Sequence, residues 1–218
     1  MQLETGHKKE FSTLIARSGA GKTALAYVLV KINDKPAIIV DDAMQFKHDL
    51  VMDFTELVAA FNDKDFKESF YKYKKTIVLR LNGVTADDFF KLIMSSKNFH
   101  DLLIFVDEID MVLNTAKVNN SHGFYTFVNK GRHKDLDLIT TCRNTANIPK
   151  PLIGQTDYFY FSDLIEKGAL EFVEETLKGL GVSELIKDLE EYQFLKVDVN
   201  NKEMEVLKTD IKWLDYFK

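Results

Sequence analysis

The chain has 218 residues, 45% of them hydrophobic and 12% aromatic, which suits one α/β domain with a sizeable core. Its formal net charge of −5 argues against broad electrostatic coating of nucleic acid, while leaving room for a ring that touches DNA through a few residues per subunit. No apolar run approaches the ~20 residues that span a bilayer, the N-terminal MQLETGHKKEF lacks the apolar segment of a secretory signal, and the single Cys142 has no internal disulfide partner, so a soluble, intracellular protein is expected.

Apolar runs alternate with helical patterns from the start. Lys9–Ala16 reads as a strand, and Lys22–Ile32 as a strongly apolar helix; Pro36–Val40 is a short buried strand ended by Asp41-Asp42. The stretch from Phe54 to Lys75 is helical or irregular, and Thr76–Leu81 is a strand closed by Asn82-Gly83. Thr85 is placed to cap a helix over Ala86–Ser95, with Asp87 and Asp88 in its first turn. Leu102–Val106 is the most apolar strand, followed by a polar loop at Asn114–Gly123 and a helix near Phe124–Lys130. Strands follow at Leu136–Thr141 and Asp157–Phe161, helices at Gly168–Leu177 and Val182–Glu190, and a hairpin from Gln193–Val199 and Glu203–Leu207 around Asn200-Asn201. This order implies a mostly parallel central sheet with helices on both faces, residues 1–165 forming the core and 166–218 a small C-terminal α/β extension packed on the same domain.

Between the first strand and the first helix lies Ala16-Arg17-Ser18-Gly19-Ala20-Gly21-Lys22-Thr23, a phosphate-binding loop with alanine where the general pattern has its first glycine. Gly19 and Gly21 let the backbone N–H groups converge on a phosphate at the positive end of the helix. Lys22 would reach the terminal phosphates of ATP and the Thr23 hydroxyl would ligate Mg²⁺. Alanine at position 16 is small enough not to crowd such a loop. A second element belongs with it: Leu102–Val106 runs into Asp107-Glu108, where Asp107 would hold Mg²⁺ and Glu108 would orient and polarise the attacking water. Asp41-Asp42 is a competing acidic pair, read as a peripheral position near the site, solvated or else metal-adjacent.

Only four of the 29 basic residues are arginines: Arg17, Arg80, Arg132 and Arg143. Where lysine serves almost everywhere, an arginine can mark a position that needs a planar, bidentate fork. Arg17, inside the loop, is read as a contact to the base or to a neighbouring subunit, or as solvated; Arg80 receives no assignment.

The segment after the acidic pair, GFYTFVNKGRHKDLDLITTCRNTANIPKPLIGQTDYFYF, resembles the FtsK–HerA superfamily of P-loop ATPases with a RecA-like core. Within it the segment is most similar to the genome-packaging ATPases of membrane-containing icosahedral viruses, over roughly Phe11 to Phe161. The resemblance implies an ATP-hydrolysing, sequence-independent translocase of double-stranded DNA, working as a homo-oligomeric, hexameric ring with a capsid or portal-vertex protein as partner. Its place would be the host cytoplasm, with possible association to the virion. Arg132 falls where the superfamily carries an arginine finger acting on the neighbouring subunit's nucleotide, and His133 beside it is a structural companion. Relatives usually end the 136–141 strand with a polar sensor, commonly glutamine, followed by Arg-Pro. This chain has Cys142-Arg143-Asn144, which leaves Thr141 or Asn144 for the polar role, while Arg143 takes the family's arginine position or a salt bridge to Asp137 or Asp157. Lys117, in the polar loop, is the tentative DNA contact, an ordinary surface loop being the alternative. Two other functions are open: an assembly or export ATPase of the zonula-occludens-toxin type, and a slow nucleotide-dependent switch that moves no DNA.

Overall fold

The computed structural model describes residues 10–41, 44–46, 48, 50–113, 122–164 and 166–209; Asp42 and Lys117, named above, lie outside the described residues. Among the described residues, nine strands form one sheet in the order β3-β4-β2-β5-β6-β1-β7-β8-β9. Six strands answer to expected ones: β1 (Phe11–Ala16), β2 (Ala37–Val40), β4 (Thr76–Arg80), β5 (Leu102–Val106), β6 (Leu136–Cys142) and β7 (Tyr158–Ser162). All of these pair in parallel, so their C-terminal ends share one edge of the sheet. The hairpin also forms, as β8 (Gln193–Asp198) and β9 (Glu203–Lys208); β8 runs antiparallel to β7, so the C-terminal segment completes the main sheet. The unexpected strand is β3 (Val51–Asp53), a three-residue edge strand parallel to β4. Its Val51 is exposed, which removes the apolar alternation that would announce it.

The strands are buried on both faces, and alternate residues serve different layers. Ile38, Val40, Ile104 and Val106 pack into the larger cluster, whereas Ile39 and Phe105 face the smaller one. The larger layer takes helices α2 (Phe54–Asn62), α3 (Lys64–Lys72) and α4 (Ala86–Ser95), together with α6 (His122–Lys130), α8 (Lys167–Thr176) and α9 (Val182–Lys187). The smaller layer is covered by α1 (Lys22–Ile32), through Leu25, Ala26 and Val30, and by Phe46. Two one-turn helices, α5 (Ile109–Val112) and α7 (Lys150–Ile153), complete the set. Helix α9 stops at Lys187, three residues short of the expected end, because Leu189 and the acidic pair after it lead into β8.

Local chemistry sets the elements that matter for the site. Thr85 does cap α4, accepting from the Asp88 amide at 3.1 Å. Asp87, in the same first turn, accepts from the amides of Gly123 and Phe124 at 2.8 and 3.0 Å, so α4 caps the start of α6 as well. The two helices meet so closely at Gly123 that a Cβ there would sit 2.3 Å from the Asp87 carbonyl oxygen.

Candidate phosphate and metal site

In a parallel sheet the crevice for ligands opens beyond the carboxyl ends of the strands, at the point where chain order reverses. Here β1 leaves the sheet centre through the loop 16–23, and β5 and β6 end beside it. Gly19 and Gly21 hold φ of 85° and 89°, in the left-handed region that glycine enters without strain, and this lets the loop turn its amides inward. Gly21 also lies under the C-terminal hairpin, where an added Cβ would come 3.4 Å from the Tyr192 ring.

Alanine at position 16 is accommodated as the last, fully buried residue of β1. The Lys22 ammonium donates to the carbonyl oxygens of Ala16 and Arg17, at 2.6 and 2.9 Å. Burial, and next the positive charge of Arg143, hold its pKa below the ordinary lysine value. A poly-anion in the loop would favour the charged ammonium and so oppose both influences. Arg17 pairs with Asp163 just past β7, tying the loop to the neighbouring strand end of its own chain.

Across the cleft, the Thr23 hydroxyl lies 3.3 Å from Oδ1 of Asp107. Thr141, near the end of β6, donates its hydroxyl to that same oxygen at 2.6 Å and accepts from the Glu108 amide at 2.7 Å. One buried threonine therefore fixes both acidic residues. Oδ2 of Asp107 is buried with no hydrogen-bond partner. Burial raises the pKa of this carboxyl, with the charges of Glu108 and Asp41 adding to the effect. An orphaned carboxylate oxygen beside a threonine hydroxyl, in a site that disfavours its negative charge, fits a divalent cation. No cluster of three or more His, Cys, Asp or Glu side chains able to hold a metal occurs among the described residues. Mg²⁺ would then be shared between Thr23, Asp107 and phosphate oxygens, as that ion prefers.

Glu108 stands at the start of α5 with a left-handed φ of 52°, a conformation uncommon for a residue with a side chain and concentrated at functional sites. Its carboxylate pairs with Arg143. Arg143 thus turns to the acidic pair at the cleft, rather than to Asp137 or Asp157. Ser18, Gly19, Lys22, Thr23, Glu108 and Arg143 share a cleft of about 290 Å³, which Gln45 also lines. A second cleft, of about 630 Å³, continues from the loop toward Asp163 and the Leu189–Tyr192 segment before β8.

Three readings from the sequence change here. Asp41 is not solvated: it is fully buried, pairs with Arg80 and accepts from the amides of Gln45 and Phe46 at 3.0 and 2.7 Å. Arg80, left unassigned, is its partner. Of the two candidates for the polar role after β6, Thr141 spends its hydroxyl on Asp107 and the Glu108 amide, while Asn144 accepts from the Ala146 amide at 2.9 Å. The Cys142 thiol is buried and donates to the Asn144 carbonyl at 3.1 Å; burial pushes its pKa well above the ordinary thiol value.

Arg132 lies at the opposite edge of the sheet, before β6. It donates to both oxygens of Asp157, at 3.3 and 2.6 Å, and to the Gln155 carbonyl at 2.6 Å, and it covers the Phe11 ring at 4.6 Å. The structure therefore does not bring Arg132 to its own chain's phosphate loop. Asp157 additionally accepts from the Phe11 amide and the Asn200 side chain, at 2.9 and 3.0 Å, joining β1, β7 and the hairpin turn. Gln45 and Asp41–Arg80 were missed; the buried strand end at Val40 was the one available signal for them.

A loop with glycines in the left-handed region after a central strand, faced by an acidic pair at the end of a parallel strand, is the arrangement of the P-loop NTPase fold. Solved structures share this fold. The chain is similar to the genome packaging NTPase B204 from Sulfolobus turreted icosahedral virus 2, in complex with AMPPCP, at 18% identity and a TM-score of 0.72, over 93% of this chain and 98% of that one. It is similar to VirB4 of Thermoanaerobacter pseudethanolicus at 10% identity and a TM-score of 0.61, covering 92% and 89% of the two chains. The N-terminal domain of zonular occludens toxin from Neisseria meningitidis matches at 14% identity and a TM-score of 0.51, over 96% and 99%. The likeness expected from the GRH and CRN segments is thus found in the fold. No family model matches the sequence, and no curated protein matches it.

Proposed function

We propose that the protein is an ATPase that translocates double-stranded DNA to package a viral genome, as a homo-oligomeric, hexameric ring. The observation that carries this reading is the junction of the phosphate loop with Asp107, Glu108 and Arg143, on a fold shared with a packaging NTPase. Among the described residues no helix is long and apolar enough to cross a membrane, and the match to the packaging NTPase is closer than that to the toxin domain. The closer match supports packaging over toxin-type export. A capsid or portal-vertex protein is the expected partner, with work done in the host cytoplasm or at the virion.

In this reading the loop amides and Lys22 bind the phosphates of ATP, and Thr23 and Asp107 would hold Mg²⁺, which would offset phosphate charge. Glu108 orients water for in-line attack on the γ-phosphorus; the bond to the bridging oxygen breaks, ADP leaves, and the carboxylate holds the water proton. Arg143 neutralises Glu108 until the γ-phosphate competes for the guanidinium. Arg132 acts in trans on the neighbouring subunit's γ-phosphate, leaving Asp157 as the ring closes. Its position at the sheet edge away from its own loop agrees with a trans role. The second cleft, toward Tyr192, receives the nucleoside.

ATP hydrolysis is measured with and without linear double-stranded DNA for wild type, Glu108→Gln and Arg132→Ala. DNA stimulation of wild type, loss in Glu108→Gln, and poisoning of mixed rings by Arg132→Ala are expected. Hydrolysis indifferent to DNA would remove the translocase reading and favour a nucleotide switch.

A further inference from the structure

The turn after β2 is fixed from three sides. Asp41 holds the amides of Gln45 and Phe46. Arg80, at the end of β4, donates to the Asp41 and Phe46 carbonyl oxygens at 2.7 and 2.8 Å while pairing with the Asp41 carboxylate. The Phe46 ring is buried, edge-on to Phe105 of β5 at 5.5 Å and 6.1 Å from Tyr27 of α1. A backbone held this firmly carries an exposed side chain, Gln45, into the phosphate cleft beside Lys22, Glu108 and Arg143. It is the one carboxamide among the described residues lining that cleft.

The end of β6 supplies no equivalent. Cys142 is sealed in the core and Thr141 is committed to the acidic pair. Asn144 caps its own short turn and lines a different depression, next to Asp163 and Leu164. A carboxamide can donate to a phosphate oxygen and accept from water at once, which a thiol cannot do with comparable strength.

We infer that Gln45 reads the γ-phosphate and positions the attacking water, the task left open at Cys142, and that the Asp41–Arg80 pair sets its position. This inference rests on the ATPase reading. The amide N–H donates to a γ-phosphate oxygen and the amide oxygen accepts from the water that Glu108 polarises. Because ADP lacks that phosphate, Gln45 discriminates triphosphate from diphosphate, while contributing nothing to the loop's grip on the β-phosphate.

The test compares wild type, Gln45→Ala, Gln45→Glu and Cys142→Ser in kcat, KM, and the Kd for ADP and for AMPPNP, with thermal melting as the folding control. Removing one donor aimed at developing charge lowers kcat by about 10²-fold, the scale of an oxyanion-hole deletion. Gln45→Ala should show that loss, an unchanged melting temperature, an ADP Kd within about twofold of wild type, and weakened AMPPNP binding. Gln45→Glu should weaken AMPPNP further through repulsion, and Cys142→Ser should keep kcat within about threefold, since Sγ lies outside the cleft. Normal kcat in Gln45→Ala overturns the inference and leaves the ATPase reading standing, as does equal weakening of ADP and AMPPNP. A large kcat loss in Cys142→Ser returns the role to β6. A folded wild type that hydrolyses no ATP overturns the parent reading, and the inference falls with it.

Discussion

Thr141→Val is the substitution that most sharply probes how the acidic pair is held. The change is nearly isosteric and deletes one hydroxyl with two partners, Asp107 Oδ1 at 2.6 Å and the Glu108 amide at 2.7 Å. The residue is fully buried, so water does not replace either partner. The bond to a carboxylate is worth about 1.5–3 kcal/mol, and the amide left unpaired costs about 1–3 kcal/mol. Both bonds belong to one hydroxyl, so the two figures do not simply add. A net loss of about 3 kcal/mol is therefore expected, which at a urea m-value of about 2 kcal/mol/M moves the unfolding midpoint by ~1.5 M. Urea unfolding followed by circular dichroism at neutral pH measures it. Thr141→Ser keeps the hydroxyl and should lose no more than about 1 kcal/mol for the missing methyl. Midpoints for Thr141→Val within 0.2 M of wild type, on the same urea scale, would refute the idea that this threonine fixes both acids.

Other outcomes follow from particular contacts. Arg80→Met strands the Asp41 carboxylate in the core and should cost about 3–5 kcal/mol by urea unfolding, because that carboxylate has no exposure; a neutral effect would contradict the buried pair. Gly123→Ala forces a Cβ against the Asp87 carbonyl, and thermal unfolding should register a loss of about 1–3 kcal/mol, since backbone cannot step aside as a side chain would. Native Cys142 should resist a thiol reagent from pH 7 to 9, because burial raises its pKa and keeps the thiol protonated, whereas the urea-unfolded chain should label faster as pH rises; rapid native labelling would place Cys142 at the surface.

The sequence made the central elements readable for a physical reason: buried parallel strands are short, continuous apolar runs, and the loop at 16–23 has chemistry that few folds share. LLIFV announced a strand, and Asp107-Glu108 the acidic pair that ends it beside the loop. What could not be read was side-chain pairing across long sequence separations. Asp41 looks like any acidic strand end until Arg80 arrives from β4, 39 residues later. Arg143 was placed near the site, but its partner among several acids is decided by the register of β6 against β5, where Val106 meets Thr140. Gln45 carried no pattern at all; only the Asp41–Arg80 turn brings it to the cleft. The edge strand β3 escaped because a half-buried three-residue segment buries too little to show in its composition.

Translocation itself gives the most direct test of the central claim. A triplex-forming oligonucleotide is annealed to linear double-stranded DNA, and its displacement is followed after adding protein, Mg²⁺ and ATP. Wild type should strip the third strand in an ATP-dependent manner, and Lys22→Ala and Glu108→Gln should leave it in place. ATP hydrolysis by wild type with the third strand still bound would contradict a DNA translocase.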